Sequence, residues 1–188
     1  MYLRWLVFAV LDVFSVVINI PAAPIVALFA NREGYLPRLL WWFQTPDNPL
    51  DGDGGWISEH WQWRKRLPAP LARYVGRVGW LWRNSMYGFA IDVLGAKTLG
   101  TDKLLVVGDL LTSNRPIHSG TVRRYLVRDG RIIYWQLYYV RRWSATRCIR
   151  INLGWKLWSF KEGEAINCQF VFSPNPAMGL SEKGESDV

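Results

Sequence analysis

The sequence predicts an α+β protein: an N-terminal membrane-associated helix, then a small helical and loop segment, then an antiparallel β-sheet. Three observations carry this. Residues 5–30 are an almost unbroken apolar run. From Lys103 the hydrophobic period changes from helical to two. Between them lies a stretch rich in Pro, Gly and Trp that fits neither pattern. The boundaries that follow are residues 1–33 for the anchor helix, 34–102 for the Trp-rich loop and helix segment, 103–176 for the sheet and 177–188 for a polar tail.

The run WLVFAVLDVFSVVINIPAAPIVALFA is long enough to cross a bilayer, which takes about 20 apolar residues. Asp12 is its single ionisable group. Asp12, Ser15 and Asn19 recur at helical spacing and form one polar stripe. A carboxylate at membrane depth is costly and turns toward protein, so the stripe is expected to mark self-association or a partner helix. Pro21 and Pro24 are expected to kink or end the helix in its C-terminal third, which keeps a monotopic or re-entrant anchor open. A cleavable signal peptide fits poorly, because the positive n-region is only Arg4 and the amino terminus. Arg32, Arg38 and the cluster Arg64-Lys65-Arg66 outweigh Arg4, which places the body on the cytoplasmic side.

Residues 41–63 hold five of the twelve Trp residues and the densest acidic cluster. Pro46-Asp47-Asn48-Pro49 and Asp51-Gly52-Asp53-Gly54-Gly55 exclude regular structure, since Pro fixes φ and Gly admits positive φ. Residues 45–55 are therefore a loop that displays Asp47, Asp51 and Asp53. Such a loop can offer oxygen ligands to calcium or magnesium. No EF-hand register fits: counted from Asp47 the third position is Pro49, and counted from Asp51 the fifth is Gly55. The plainer reading is an Asx-rich loop bonded to its own backbone. Ser58 is placed as the cap of a short helix running to about Arg66, with Glu59 in its first turn. Glu59-His60 lacks a second His one turn on, so it makes no helical zinc pair. Asp47, Asn48, Asp51, Asp53, Glu59, His60 and Arg83 form the candidate functional loop. Arg83 is read as the ion-pair partner of a loop aspartate ahead of a catalytic role. Leu71, Val75 and Val78 predict one helical face, Arg73 and Arg77 another, and residues 83–88 a break.

The segments KLLVVGDLLT, TVRRYLVR, RIIYWQLYYVRR, TRCIRINLGWKLW and AINCQFVF read as five strands. Asp129-Gly130 is a hairpin signal. Ile149, Ile151 and Leu153 predict a greasy face, and Cys148, Arg150 and Asn152 a polar one. Aromatic residues on both faces make residues 131–142 a central strand. Arg123, Arg128, Arg147 and Arg150 form a basic face, either an ordinary solvated face or one that binds phosphates. Cys148 and Cys168 sit among apolar residues and read as buried free thiols. From Ser181 the tail is polar and reads as disordered.

The net charge of +8 and the twelve Trp point to anionic partners: lipid headgroups first, nucleic acid second. No nucleophile elbow, P-loop or dinucleotide fingerprint is present.

The stretches LPRLLWWFQTPDNPLDGD, RVGWLWRNSMYGF, NLGWKLW and FVFSPNP resemble a family of small proteins encoded by tailed bacteriophages, without assigned function. The resemblance covers residues 34–176. It implies a phage product acting in or on a bacterial host at the inner membrane, and it brings no catalytic residues. The expected function is a non-enzymatic, membrane-anchored accessory protein that engages a host or phage partner, with no cofactor. One alternative is a metal-dependent hydrolase of phosphoesters or lipid headgroups that uses the Asp47, Asp51 and Asp53 cluster. Another is a virion component whose greasy N-terminus packs in an assembly.

Overall fold

The computed structural model describes residues 1–179, apart from the side chain of Trp63. The tail predicted from Ser181 lies outside the described residues. Residues 177–179, expected to begin that tail, instead finish the last strand. The chain divides into two compact units, Leu6–Leu94 and Met1–Trp5 with the chain from Gly95 on.

The first unit is helical. Helix α1 (Tyr2–Val26) runs through both prolines and continues as a 3-10 turn to Phe29. The prolines do not end the helix, for a reason seen in the hydrogen bonds. Pro24 has no N–H to give the carbonyl of Ile20 one turn back. The Trp82 indole donates to that carbonyl instead, at 3.0 Å. The Tyr74 hydroxyl donates to the carbonyl of Pro24 itself. A 3-10 turn spans Arg38–Phe43, followed by the predicted loop and by helix α2 (Gly54–Arg64). The cap of α2 is Asp53, whose carboxylate accepts the Trp56 N–H at 2.6 Å. Ser58, the expected cap, lies inside the helix and donates to the Gly55 carbonyl. Helix α3 (Ala69–Arg83) and helix α4 (Tyr87–Asp92) are separated by the predicted break, where Met86 takes a left-handed conformation.

The buried face of α3 differs from expectation. It carries Ala72, Gly76, Arg77, Val78, Trp80 and Leu81, while Leu71 is exposed. Small residues at 72 and 76 allow close packing, and Arg77 is buried because it has a partner. Ala23, Val26, Leu36, Leu50, Trp56, Val78, Trp80 and Leu81 form the unit's core.

The second unit is built on an antiparallel sheet. After the short β1 (Ala96–Lys97) come β2 (Lys103–Gly108), β3 (Ser113–Asn114), β4 (Ile117–His118), β5 (Gly120–Arg128), β6 (Arg131–Arg142), β7 (Arg147–Trp155), β8 (Asn167–Cys168) and β9 (Phe170–Gly179). The main sheet has the order β2-β5-β6-β7-β9, so β6 is central as predicted. The fifth predicted strand divides, since β8 pairs with β1 and β9 with β7. Asp129 and Gly130 turn the β5–β6 hairpin with φ of 49° and 71°, the two positive values of a type I′ turn.

Burial tells which of the two predicted faces of β7 is the more covered. Cys148 and Asn152 are buried, whereas Ile149, Ile151 and Leu153 are half-buried. The polar face can be the inner one because Gln136 donates to Asn152 across β6 and β7. Val122, Leu126 and Val140 share that inner face by register. Tyr2 and Trp5 pack on this unit: both rings lie 5.4 Å from Trp135, and Trp5 also meets Phe170 and Phe172. Cys148 and Cys168 are free and buried, as expected, and burial pushes both thiols up.

Candidate functional site

The loop of residues 45–53 is pinned from beneath. Gln44, fully buried, accepts the Leu36 N–H and donates to the Asn48 carbonyl, which Thr45 also bonds. So Asn48 serves the loop through its backbone. The three aspartates have separate tasks. Asp47 is exposed. Asp53 caps α2. Asp51 accepts Arg77 Nε at 2.8 Å and Arg77 Nη2 at 3.1 Å, a bidentate pair. Arg77 is only 7% exposed, and its Nη2 also reaches the carbonyl of Arg32. The neutralising arginine is thus Arg77. Arg83, the expected partner, stands over the rings of Trp56 and Trp80 at 5.4 and 5.6 Å from their centroids.

Trp56 is the hub of this region. His60 stacks on it with centroids 3.8 Å apart, and a ring nitrogen of His60 lies 3.3 Å from the Trp56 carbonyl. Trp80 meets it edge-on. Arg64, 1% exposed, donates to the His60 carbonyl and lies over both Trp56 and Trp61. Burial pulls the Arg64 guanidinium down, against the opposing pull of Asp51. Its head fills the space beside Gly76, where a Cβ would overlap Nη1. Glu59 is exposed, 3.9 Å from His60. Among the described residues no three His, Cys, Asp or Glu side chains gather as a metal site. Cation–π contacts and one ion pair order this region. A cavity of about 360 Å³ opens nearby, lined by Ala27, Leu28, Ala30, Arg73, Tyr74 and Arg77 among others.

The polar stripe of α1 is used within the chain. Asn19 is fully buried and donates to the Leu81 carbonyl and the Ser85 hydroxyl, both at 2.9 Å. Ser15 bonds the carbonyl of Asp12. The partner helix expected for the stripe is, for Asn19, α3 of the same molecule.

In the sheet unit the predicted basic face does not form. Register places Arg123 opposite Leu137, on the other face from Arg150, which stands opposite Val140. Arg128 pairs with fully buried Asp102 through Nε at 2.7 Å and Nη2 at 2.8 Å. Arg147 donates to the carbonyl of Ala177. Arg124, absent from the predicted set, shares the inner face with Arg150, Gln136, Tyr138 and Asn152. A sequence signal existed: consecutive arginines in a strand must point to opposite faces, so one of Arg123 and Arg124 had to turn inward.

Neither a curated protein nor a solved structure matches the chain. One family does, over residues 1–182. The chain therefore belongs to DUF7338, a family of unknown function.

Proposed function

We propose that the protein is a membrane-anchored, non-enzymatic accessory protein of a phage, acting on a host or phage partner at the bacterial inner membrane. The phage and host assignment rests on the sequence resemblance. The anchoring rests on one observation, that α1 is amphipathic inside out. In a water-soluble helix large apolar side chains face the core and polar ones face solvent. In α1 the inward residues include Ser15, Asn19 and Ala23, while Leu6, Val10, Phe14, Val17, Ile25 and Leu28 are exposed. Small and hydrogen-bonding residues toward protein, with large apolar ones outward, suit a helix in lipid. The helix and its 3-10 extension, Tyr2–Phe29, are long and apolar enough to cross a membrane, with 22% of the most apolar window buried.

This length and outward apolar face suit either a helix that crosses the bilayer or one that lies in the membrane plane. The basic body then meets the anionic cytoplasmic leaflet.

Flotation on a density gradient after carbonate washing tests this. Wild type is expected to float with membranes, and Phe14→Lys combined with Val17→Lys to stay in the soluble fraction, since each outward charge costs about 2.5 kcal/mol or more in lipid. A double variant that still floats would refute anchoring by this face. Single cysteines at positions 3 and 33 labelled from the same side would identify an in-plane anchor, and labelling from opposite sides a span.

A further inference from the structure

We propose that the inner face of the sheet holds a binding site for a phosphate-type oxyanion, formed by Arg124 and Arg150 over a floor of Gln136 and Asn152, beside Tyr138, whose hydroxyl already donates to Asn114. The sheet pairing brings these residues together. Arg124 stands opposite Gln136, and Tyr138 stands opposite Asn152. Arg124 and Arg150 are each one diagonal step from Tyr138, within reach of long side chains.

The charge pattern is one-sided. Arginine recurs in all three central strands, and none of the five strands of the main sheet contains Asp or Glu. Elsewhere two arginines have carboxylate partners, Arg77 with Asp51 and Arg128 with Asp102, and fully buried Arg64 is covered by the rings of Trp56 and Trp61. Arg124 and Arg150 are half-buried without such a match. Arg150 donates Nη2 to the Ser173 hydroxyl at 3.0 Å, but its Nε is buried and unbonded. Arg124 Nη1 is likewise buried and unbonded. Burial pulls the Arg124 guanidinium down and pushes the Tyr138 phenol up, and no carboxylate acts on either. Lys156 adds a third cation, 6.0 Å from the ring of Trp158, which packs edge-on against Tyr138.

A desolvated cation is costly unless an anion and hydrogen bonds accompany it. Among the described residues the chain supplies hydrogen-bond donors here and no anion. Two guanidinium forks suit a tetrahedral oxyanion, which offers several oxygens at once. The floor is consistent with this. Gln136 is 0% exposed and its Oε1 has no partner. Amide oxygen and nitrogen are assigned from the hydrogen-bond network. Turned together, Gln136 and Asn152 keep their mutual bond and present an N–H from Gln136 in place of a bare oxygen.

The same phosphate chemistry exists on a free ion and on a lipid headgroup, and the test separates the two. The full-length protein is melted in a neutral detergent with inorganic phosphate or with chloride at equal ionic strength. Binding to vesicles of phosphatidylcholine with or without phosphatidylglycerol is measured in parallel. A melting temperature raised by phosphate identifies a site for the free ion. A response to phosphatidylglycerol alone identifies a headgroup site. Arg124→Met and Arg150→Met are each expected to weaken the response at least ten-fold. Arg141→Met, on an exposed residue of the other face, is expected to leave it intact. Without phosphate, Arg124→Met should melt no lower than wild type, because it removes an uncompensated cation and keeps the apolar stem. Equal phosphate and chloride curves together with indifference to phosphatidylglycerol would overturn the proposal. So would an equal loss in Arg141→Met, or a marked fall in the melting temperature of unliganded Arg124→Met, which would assign Arg124 a structural role.

Discussion

Arg77 and Asp51 form the pair on which the charge balance of the helical unit rests. Removing one partner leaves the other charge partly buried and unmatched. Arg77→Ala is expected to cost about 3 kcal/mol, the low end for a buried pair, because Asp51 keeps 32% of its side chain in solvent. Arg77→Met combined with Asp51→Leu should cost much less, and denaturation of the four-member cycle in neutral detergent measures the difference. EDTA is expected to leave the wild-type melting temperature unchanged, since an arginine balances Asp51. Asp102 gives a pH signature. The hydrogen bond from Arg128 holds its carboxyl below the ordinary value of about 3.9. Its folded pKa is depressed, so its contribution is full above about pH 4 and is lost as pH falls through the lower, folded value. Acid titration of stability should therefore flatten in Asp102→Asn, which should also be less stable than wild type at pH 7. An unchanged acid limb would remove Asp102 as the group responsible. At this scale the sequence revealed that the loop aspartates needed a cation, but not which one. Arg73, Arg77 and Arg83 all lie on one short helix, and only packing decides which turns inward.

Elements were more legible than residues. The β5–β6 hairpin, the central place of β6 and the break between α3 and α4 all follow from local chemistry: turn dipeptides, period and interrupted pattern. The prolines do not end α1, and side chains from far along the chain, Trp82 and Tyr74, bond the carbonyls of Ile20 and Pro24. The inner face of β7 was not legible, because alternation separates two faces without saying which is covered. Two glycines separate backbone strain from collision. Gly130 has open space where a Cβ would stand, so Gly130→Ala should cost only the left-handed conformation, about 1–2 kcal/mol, and Gly130→Val more because it is β-branched. Gly154 has φ of 104°, and a Cβ there would run into the Trp135 carbonyl. Gly154→Ala is expected to be markedly worse than Gly130→Ala in thermal melts. Equal melting of the two would contradict the register of β6 and β7.

At the scale of the molecule, length and apolarity located the helix that is long and apolar enough to cross a membrane. They could not show that its first turn is held by rings from β6 and β9, since no local pattern announces a partner so far along the chain. That contact has a consequence during synthesis. Trp5 packs against Phe170 and Phe172, which leave the ribosome long after it. At ordinary translation speeds of about 5–20 residues per second, the aromatic seat for the N-terminal turn appears roughly ten to thirty seconds after the turn itself. The rest of the helix finds its seat sooner, where Asn19 bonds α3 and Ala23 and Val26 join the core of the helical unit. The two ends of one helix are thus seated at different times, and a chaperone, or lipid on the anchoring proposed above, can hold the first turn in between.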